Sequence, residues 1–152
     1  MIKKFLIFFV FISSCVNSTD FEKKDNKNFE VVYFEAVEKN IIYNANLPSE
    51  FQEILDHWFN NSVKVNGFDG VLTLNVDNFT QNISDIDKGK RVDLFLDFEL
   101  KIENAQSTKK KLIKGKLHEF SEIEGNFSIN EFDILIYNTM VNMVSKLSSK
   151  FK

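Results

Sequence analysis

The clearest pattern in the chain is a strict alternation of apolar and polar residues from Arg91 to Glu103. Every second side chain from Val92 to Ile102 is apolar, and the residues between them are mostly charged. This period of two predicts a long strand with one face buried and one face in water. Val71 to Phe79 alternates in the same way. Lys111 to Ile123 alternates less cleanly near Gly115, where we expect a bulge or a twist.

Two other segments carry apolar residues at helical spacing. The first follows Pro48, which suits the first turn of a helix, and Ser49 with Gln52 resembles a capping box. The second begins with another capping box, formed by Ser128 and Glu131, and its apolar stripe runs almost to Lys152. The apolar face of the first helix is expected to comprise Phe51, Ile54, Leu55 and Trp58.

Short β-branched and aromatic segments surround the first helix. Phe29 to Val37 predicts the first strand, and Asn40 to Asn46 either extends it or forms a second one. Val63 to Val65 predicts a short strand after the helix. The predicted element order is therefore β-α-β-β-β-α. It indicates an α+β two-layer sandwich over residues 29 to 152, with both helices on one face of an antiparallel sheet.

The first fifteen residues have the composition of a targeting segment. Two lysines precede eight apolar residues, Phe5 to Ile12, and two serines follow them. This order of positive, apolar and small residues predicts a secretory signal peptide over residues 1 to 14. The alternative is a membrane-spanning helix, which needs about 20 apolar residues. It is disfavoured because the apolar run ends at Ser13.

Ile12-Ser13-Ser14-Cys15 is similar to a bacterial lipobox, in which the cysteine is acylated and the signal is cut before it. Cys15 is the single cysteine of the chain, so it has no partner for an intrachain disulfide. This favours lipidation over an ordinary cleaved signal. The acyl chains would hold the protein on a membrane, since each buried methylene contributes about 0.8 kcal/mol. Residues 15 to 28 are expected to form a lipidated, flexible tether.

Composition narrows the classes of partner. The net charge of −3 becomes −5 once Lys3 and Lys4 leave with the signal. An acidic domain is a poor binder of nucleic acid, so no nucleic-acid partner is expected. Apolar residues are abundant and periodic, which argues against a disordered chain.

No residue pattern in the sequence indicates catalysis or a metal site. The two histidines, His57 and His118, lie outside any ligand-spaced cluster, and each is expected to have a structural or exposed role. Asp85 to Gly89 resembles part of a calcium loop, but Leu96 stands at the twelfth position, so a solvated turn is favoured. The chain has neither a G-x-S-x-G motif nor a glycine-rich phosphate loop. We therefore expect no catalytic site, no metal and no cofactor.

Two surface features are candidates for contacts. Phe95 is the one large apolar residue on the polar face of the long strand. Either it packs on an aliphatic stem of a neighbouring strand, or it contacts a partner or lipid. Lys109, Lys110 and Lys111 lie at the tip of the hairpin predicted over Asn104 to Lys110. They form either a solvated turn or a contact for anionic lipid headgroups.

The signal, the lipobox, the polar tether and the element order of Phe29 to Phe151 together resemble a group of bacterial envelope lipoproteins. This group includes the lipopolysaccharide-assembly lipoprotein that plugs a transport barrel and the auxiliary lipoproteins of lipid-trafficking ABC systems. The resemblance implies a non-catalytic accessory subunit that faces the periplasm and supports a complex through a sheet edge or a loop. It carries over Cys15 as the functional residue. The lack of an aspartate at Val16 is similar to an outer-membrane address.

Two other functions remain open at this point. A lipid- or lipopolysaccharide-binding module would use Phe95 and the lysines of the hairpin tip as contacts. A small hydrolase is the remote alternative, and it would depend on His57.

Overall fold

The computed structural model describes residues 22–25, 28–104 and 110–151. One sheet has the strand order β2-β4-β5-β6, and β1 and β3 form a second sheet of two strands. The predicted α+β class is confirmed. The elements, in chain order, are β1 (Val32–Phe34), β2 (Glu38–Tyr43), α1 (Ser49–Asn61), β3 (Val63–Val65), β4 (Val71–Ile86), β5 (Gly89–Glu103), β6 (Lys110–Glu124) and α2 (Ile129–Ser149).

The larger sheet is mixed, whereas the sequence predicted a wholly antiparallel one. β4, β5 and β6 form two consecutive antiparallel hairpins. β2 pairs with β4 in parallel, and β1 pairs with β3 in parallel. The parallel pairing follows from the connection: α1 and β3 lie between β2 and β4, and a crossover of this kind lets the chain re-enter the sheet in the same direction.

β4 extends beyond its predicted end at Phe79 and pairs with β5 as far as Ile86. The predicted solvated turn closes this hairpin, because Ile86 faces Gly89 across two turn residues. A β-bulge interrupts the pairing between Val76 and Asn78, so Asp77 is an extra residue in β4. Bulges of this kind bend a strand and increase its twist.

The irregular alternation near Gly115 marks a packing contact. The β5–β6 register is continuous through Gly115, so the expectation of a bulge there is wrong. A Cβ atom on Gly115 would lie 2.5 Å from Cζ of Phe98 on the opposite strand. The glycine therefore leaves room for the Phe98 ring, which also packs edge to face on Phe151 at 5.6 Å between ring centroids.

The two helices begin differently. The capping box predicted for α1 is wrong: Pro48 occupies the cap position, and no side chain caps the helix. The capping box of α2 is confirmed. The amide of Glu131 donates to Oγ of Ser128 at 3.2 Å, and the amide of Ser128 donates to Oε2 of Glu131 at 2.6 Å.

The core lies between the helices and one face of the sheet. The apolar face predicted for α1 is buried there, together with the apolar side chains of the β5 alternation. The largest fully buried side chains include Trp58, Phe51, Ile54, Leu55, Leu72, Leu74, Leu94, Leu96, Met140, Met143 and Leu147. The opposite face of β4, β5 and β6, called the open face below, carries the polar side chains of the alternation.

Candidate interaction surface

The predicted contact residues lie in separate places. Lys110 opens β6 opposite Glu103, and the exposed Lys111 lies opposite Ile102. Phe95 precedes Ile102 by seven residues in β5, or roughly 24 Å at the rise of a strand. Lys111 and Phe95 therefore do not form one site. The predicted residues that fall outside the described part of the chain are Ile12, Ser13, Ser14, Cys15 and Lys109.

Phe95 forms a cross-strand contact with His118. The two rings are parallel within 2° and their centroids are 4.4 Å apart. The contact is of the cross-strand kind, but its partner is an imidazole instead of an aliphatic stem. Phe95 nevertheless stays 38% exposed, so part of its ring can still contact another molecule.

Charged groups surround this aromatic pair. Nε2 of His118 lies 2.7 Å from Oδ1 of Asp93. The Arg91 guanidinium donates to both carboxylate oxygens of Asp93 at 2.7 and 2.8 Å and to Glu122 at 3.1 Å. It also lies over the Phe120 ring, 4.1 Å from the centroid. The hydrogen bonds from Arg91, together with that from His118, lower the pKa of the Asp93 carboxyl to about 2.

The hydrogen-bond partners of the two histidines bear on whether this surface could be nucleophilic. A nucleophilic site needs a hydroxyl or thiol held against a histidine. Among the described residues, the side-chain hydrogen bonds of the two histidines go to Asp93 and Asn61 and involve no hydroxyl. Within the described ranges, no group of three or more His, Cys, Asp or Glu side chains could hold a metal ion.

We expect the Asp93→Asn substitution to lower the free energy of unfolding by about 1–2 kcal/mol at pH 7. The side chain of Asp93 is only 16% exposed, and asparagine removes the negative charge that attracts Arg91. The folded-state pKa of Asp93 lies below its ordinary value of 3.8. Its stabilisation is therefore present above about pH 4 and disappears as the pH falls towards 2. Urea unfolding of both proteins between pH 2 and 7 measures this difference.

The exposed Asp133 on α2 provides the matched control for that experiment. The Asp133→Asn variant is expected to change the free energy of unfolding by less than about 0.5 kcal/mol at every pH. If the difference in unfolding free energy between Asp93→Asn and the wild type stayed constant down to pH 2, this would contradict a lowered pKa for Asp93.

The second half of β4 is an open sheet edge. β2 is six residues long and covers β4 only from Val71 to Val76. Among the described residues, no strand pairs with the outer side of Asn78 to Ile86. Open edges of this kind present unpaired N–H and C=O groups and are templates for another strand.

The direction of the backbone groups along this edge follows from the last bonds to the β2 side. The carbonyl of Val76 accepts from the amides of Asn44 and Ala45 at 2.9 and 3.1 Å, so it points away from β5. Outward and inward groups alternate along an antiparallel strand. With Asp77 as the extra residue of the bulge, the outward groups belong to Phe79, Gln81, Ile83 and Asp85.

A shallow depression lies beside this edge on the open face. Its volume is about 340 Å³, and Phe95 and His118 form its apolar part. Asn78 and Thr80 line it from β4, and Asp97 with Lys116 lines it from the neighbouring strands. The edge and the depression together offer backbone partners and a side-chain pocket within one surface.

Sequence reasoning missed most of this surface. Arg91, Asp93 and Phe95 alternate on one face in the sequence, which is the signal that could have grouped them. His118 joins them only through the β5–β6 register, and the open edge depends on the short length of β2.

Neither described helix has the length and apolar character needed to cross a membrane.

The sequence matches no family model and no curated protein. A minor lipoprotein from Acinetobacter baumannii has a similar fold, with a TM-score of 0.53 and 12% identity over 75% of this chain and 89% of that one. A structure described as a homologue of neuraminyllactose-binding hemagglutinin from Helicobacter pylori matches with a TM-score of 0.35 and 12% identity, over 87% of this chain and 93% of that one.

Proposed function

We propose that the protein is a lipid-anchored, non-catalytic envelope protein that supports a transport or assembly complex by binding an extended segment of a partner protein at the β4 edge. The observation that carries this proposal is the open edge from Asn78 to Ile86, with the outward groups of four residues available. Addition of a strand to such an edge is a common mode of peptide recognition.

The side chains along the edge favour the binding of a specific partner over self-association. Six of the nine residues from Asn78 to Ile86, NFTQNISDI, are polar, and one of these six is acidic. Polar and charged side chains lower the tendency of an edge to pair with copies of itself. The depression beside Phe95 supplies a place for a partner side chain, and such pockets give strand addition its specificity.

The anchoring part of the proposal rests on the sequence. Cys15 follows a signal-like segment, and the fold similarity to a minor lipoprotein is consistent with the same class of protein. Val16 in place of an aspartate supports an outer-membrane address with the domain facing the periplasm. The proposed partners are thus a membrane, through the acyl chains, and an envelope protein, through the edge.

We expect the Gln81→Pro variant to capture at least about tenfold less partner than the wild type, a loss of ~1.4 kcal/mol or more. Proline removes the outward N–H of Gln81 and leaves the hydrogen bonds between β4 and β5 in place. The measurement is crosslinking in the native cells, followed by identification of the captured proteins. The anchor control is Cys15→Ala, which should lose both membrane attachment and capture.

A second pair of variants tests whether a loss of capture is specific to the β4 edge or follows from adding a charge anywhere on the surface. Ile83→Lys places a charge on the edge, while Ile129→Lys makes the same change at an 84% exposed position at the start of α2. Only the first is expected to reduce capture. Equal capture by Gln81→Pro, Ile83→Lys and the wild type would contradict docking at the edge. Capture of lipid alone by the wild type would favour the lipid-binding module instead.

A further inference from the structure

Residues 22–25 lie on the helices, although the sequence places them in a flexible tether. The side-chain amide of Asn138 contacts the backbone of two of them. Its Oδ1 accepts from the amide of Lys24 at 2.7 Å, and its Nδ2 donates to the carbonyl of Glu22 at 3.0 Å. One side chain thus satisfies a donor and an acceptor two residues apart, as a neighbouring strand would.

Lysine side chains extend this contact to both helices. Nζ of Lys24 donates to Oδ1 of Asn142 at 2.8 Å. Nζ of Lys23 lies 3.4 Å from Oε1 of Glu50 at the start of α1 and 4.6 Å from the centroid of the Tyr137 ring. These contacts, called the tether seat below, hold the chain at a fixed place on the domain.

The tether seat lies on the outer side of the helices. At 3.6 residues per turn, Asn138 is about 200° around α2 from Met140, which is buried in the core. The open face of the sheet is on the other side of the core. The chain therefore leaves the domain from the helical layer, opposite the open face.

We infer that the membrane carrying the anchor faces the helical layer, so that the open face points away from the membrane and the β4 edge points sideways. This inference rests on the proposed lipidation of Cys15. The chain takes seven residue steps from Cys15 to Glu22. Seven steps span at most about 25 Å when fully extended.

The tether seat shortens the connection by half. Without it the free chain would run fourteen residue steps from Cys15 to Phe29 and would span up to about 50 Å. That length would let the domain turn any face towards the lipid. With seven residues, presenting the open face would need an almost fully extended chain around the helices. The orientation is therefore set by the length of the chain between Cys15 and the tether seat.

The test uses the full-length lipidated protein in vesicles that contain lipids with nitroxide headgroups. The acylated Cys15 has no free thiol, so one introduced cysteine can carry a fluorescent label. The two label positions are Glu53→Cys on the outer side of α1 and Thr80→Cys on the open face. We expect at least about twofold more quenching at the first position, because the connection from Cys15 to Glu22 spans at most about 25 Å. The ratio should persist at about 0.5 M salt, where exposed charge interactions are screened.

Variants of the tether seat complete the test. Asn138→Ala should move the quenching ratio towards one, and the matched control Asn130→Ala, at an exposed position of the same helix, should keep it. Equal quenching at the two positions of the wild type, or a ratio unchanged in Asn138→Ala, would overturn the inference. Mass spectrometry distinguishes failure of the orientation from failure of the anchor. An acylated Cys15 with equal quenching at the two positions overturns the orientation alone. An unacylated Cys15 overturns the anchor and the orientation with it.

Discussion

Replacement of Trp58 by alanine is expected to lower the free energy of unfolding by about 3–5 kcal/mol. Trp58 is fully buried, and its ring stacks on Phe151 at 6.3 Å between centroids. The substitution would leave a cavity between α1 and the C-terminal end of α2. Since small domains have a total stability of about 5–15 kcal/mol, this loss is a large share of it.

The Trp58→Phe variant is the informative companion. Nε1 of Trp58 is buried without a hydrogen-bond partner among the described residues. Phenylalanine keeps most of the ring volume and removes that unpaired donor, so it should cost less than about 2 kcal/mol. Urea unfolding must be followed by far-UV circular dichroism, because Trp58 is the one tryptophan of the chain. Equal losses of unfolding free energy for the two variants would show that the indole N–H makes a stabilising hydrogen bond, contrary to the prediction.

The Gly115→Val substitution is expected to destabilise the fold by about 1–3 kcal/mol, although valine favours strands at most positions. The added Cβ would meet the Phe98 ring at 2.5 Å, and Phe98 is itself held against Phe151. The ring would have to move away from its place in the core. Thermal and urea unfolding of the purified variant measure the loss.

A double-mutant cycle isolates this contact. Phe98→Leu removes the ring that the valine would strike, so Gly115→Val should cost about 1–2 kcal/mol less in that background than in the wild type. Additive effects of the two substitutions would instead attribute the cost of the valine to the strand backbone.

The parts of the fold that the sequence predicted are those with a local, repeated signal. β5 and α2 have long periodic patterns, and Ser128 with Glu131 identifies the start of α2 from four residues. The parallel position of β2 could not be predicted, because its six residues have no clear alternation and its partner lies beyond α1. The capping box at Ser49 failed because proline at the preceding position already sets the extended entry to the helix.

The candidate surface likewise has a part with a local sequence signal and a part that depends on distant residues. The register of the β5–β6 hairpin pairs residues whose numbers sum to 213, which brings Phe95 to His118. The sequence showed Phe95 but not its partner, because Gly115 interrupts the alternation of β6. The open edge and the tether seat could not be predicted because each depends on two elements that are distant in the sequence. The edge exists because the long β4 lies beside the short β2, and the tether seat joins one asparagine of α2 to a segment more than 100 residues away.

The order of attachment from the tether into the domain has a mechanical consequence. A pulling force transmitted from a membrane through the proposed anchor would first load the Asn138 contacts and then β1, which pairs with β3 over three residues. The long ladders of β4, β5 and β6 lie further along the chain and share the load over about fifteen residue pairs each. The weakest contacts thus lie nearest to the proposed anchor, so a protein under load would release its first strand and gain tether length before the surface around Phe95 is disturbed.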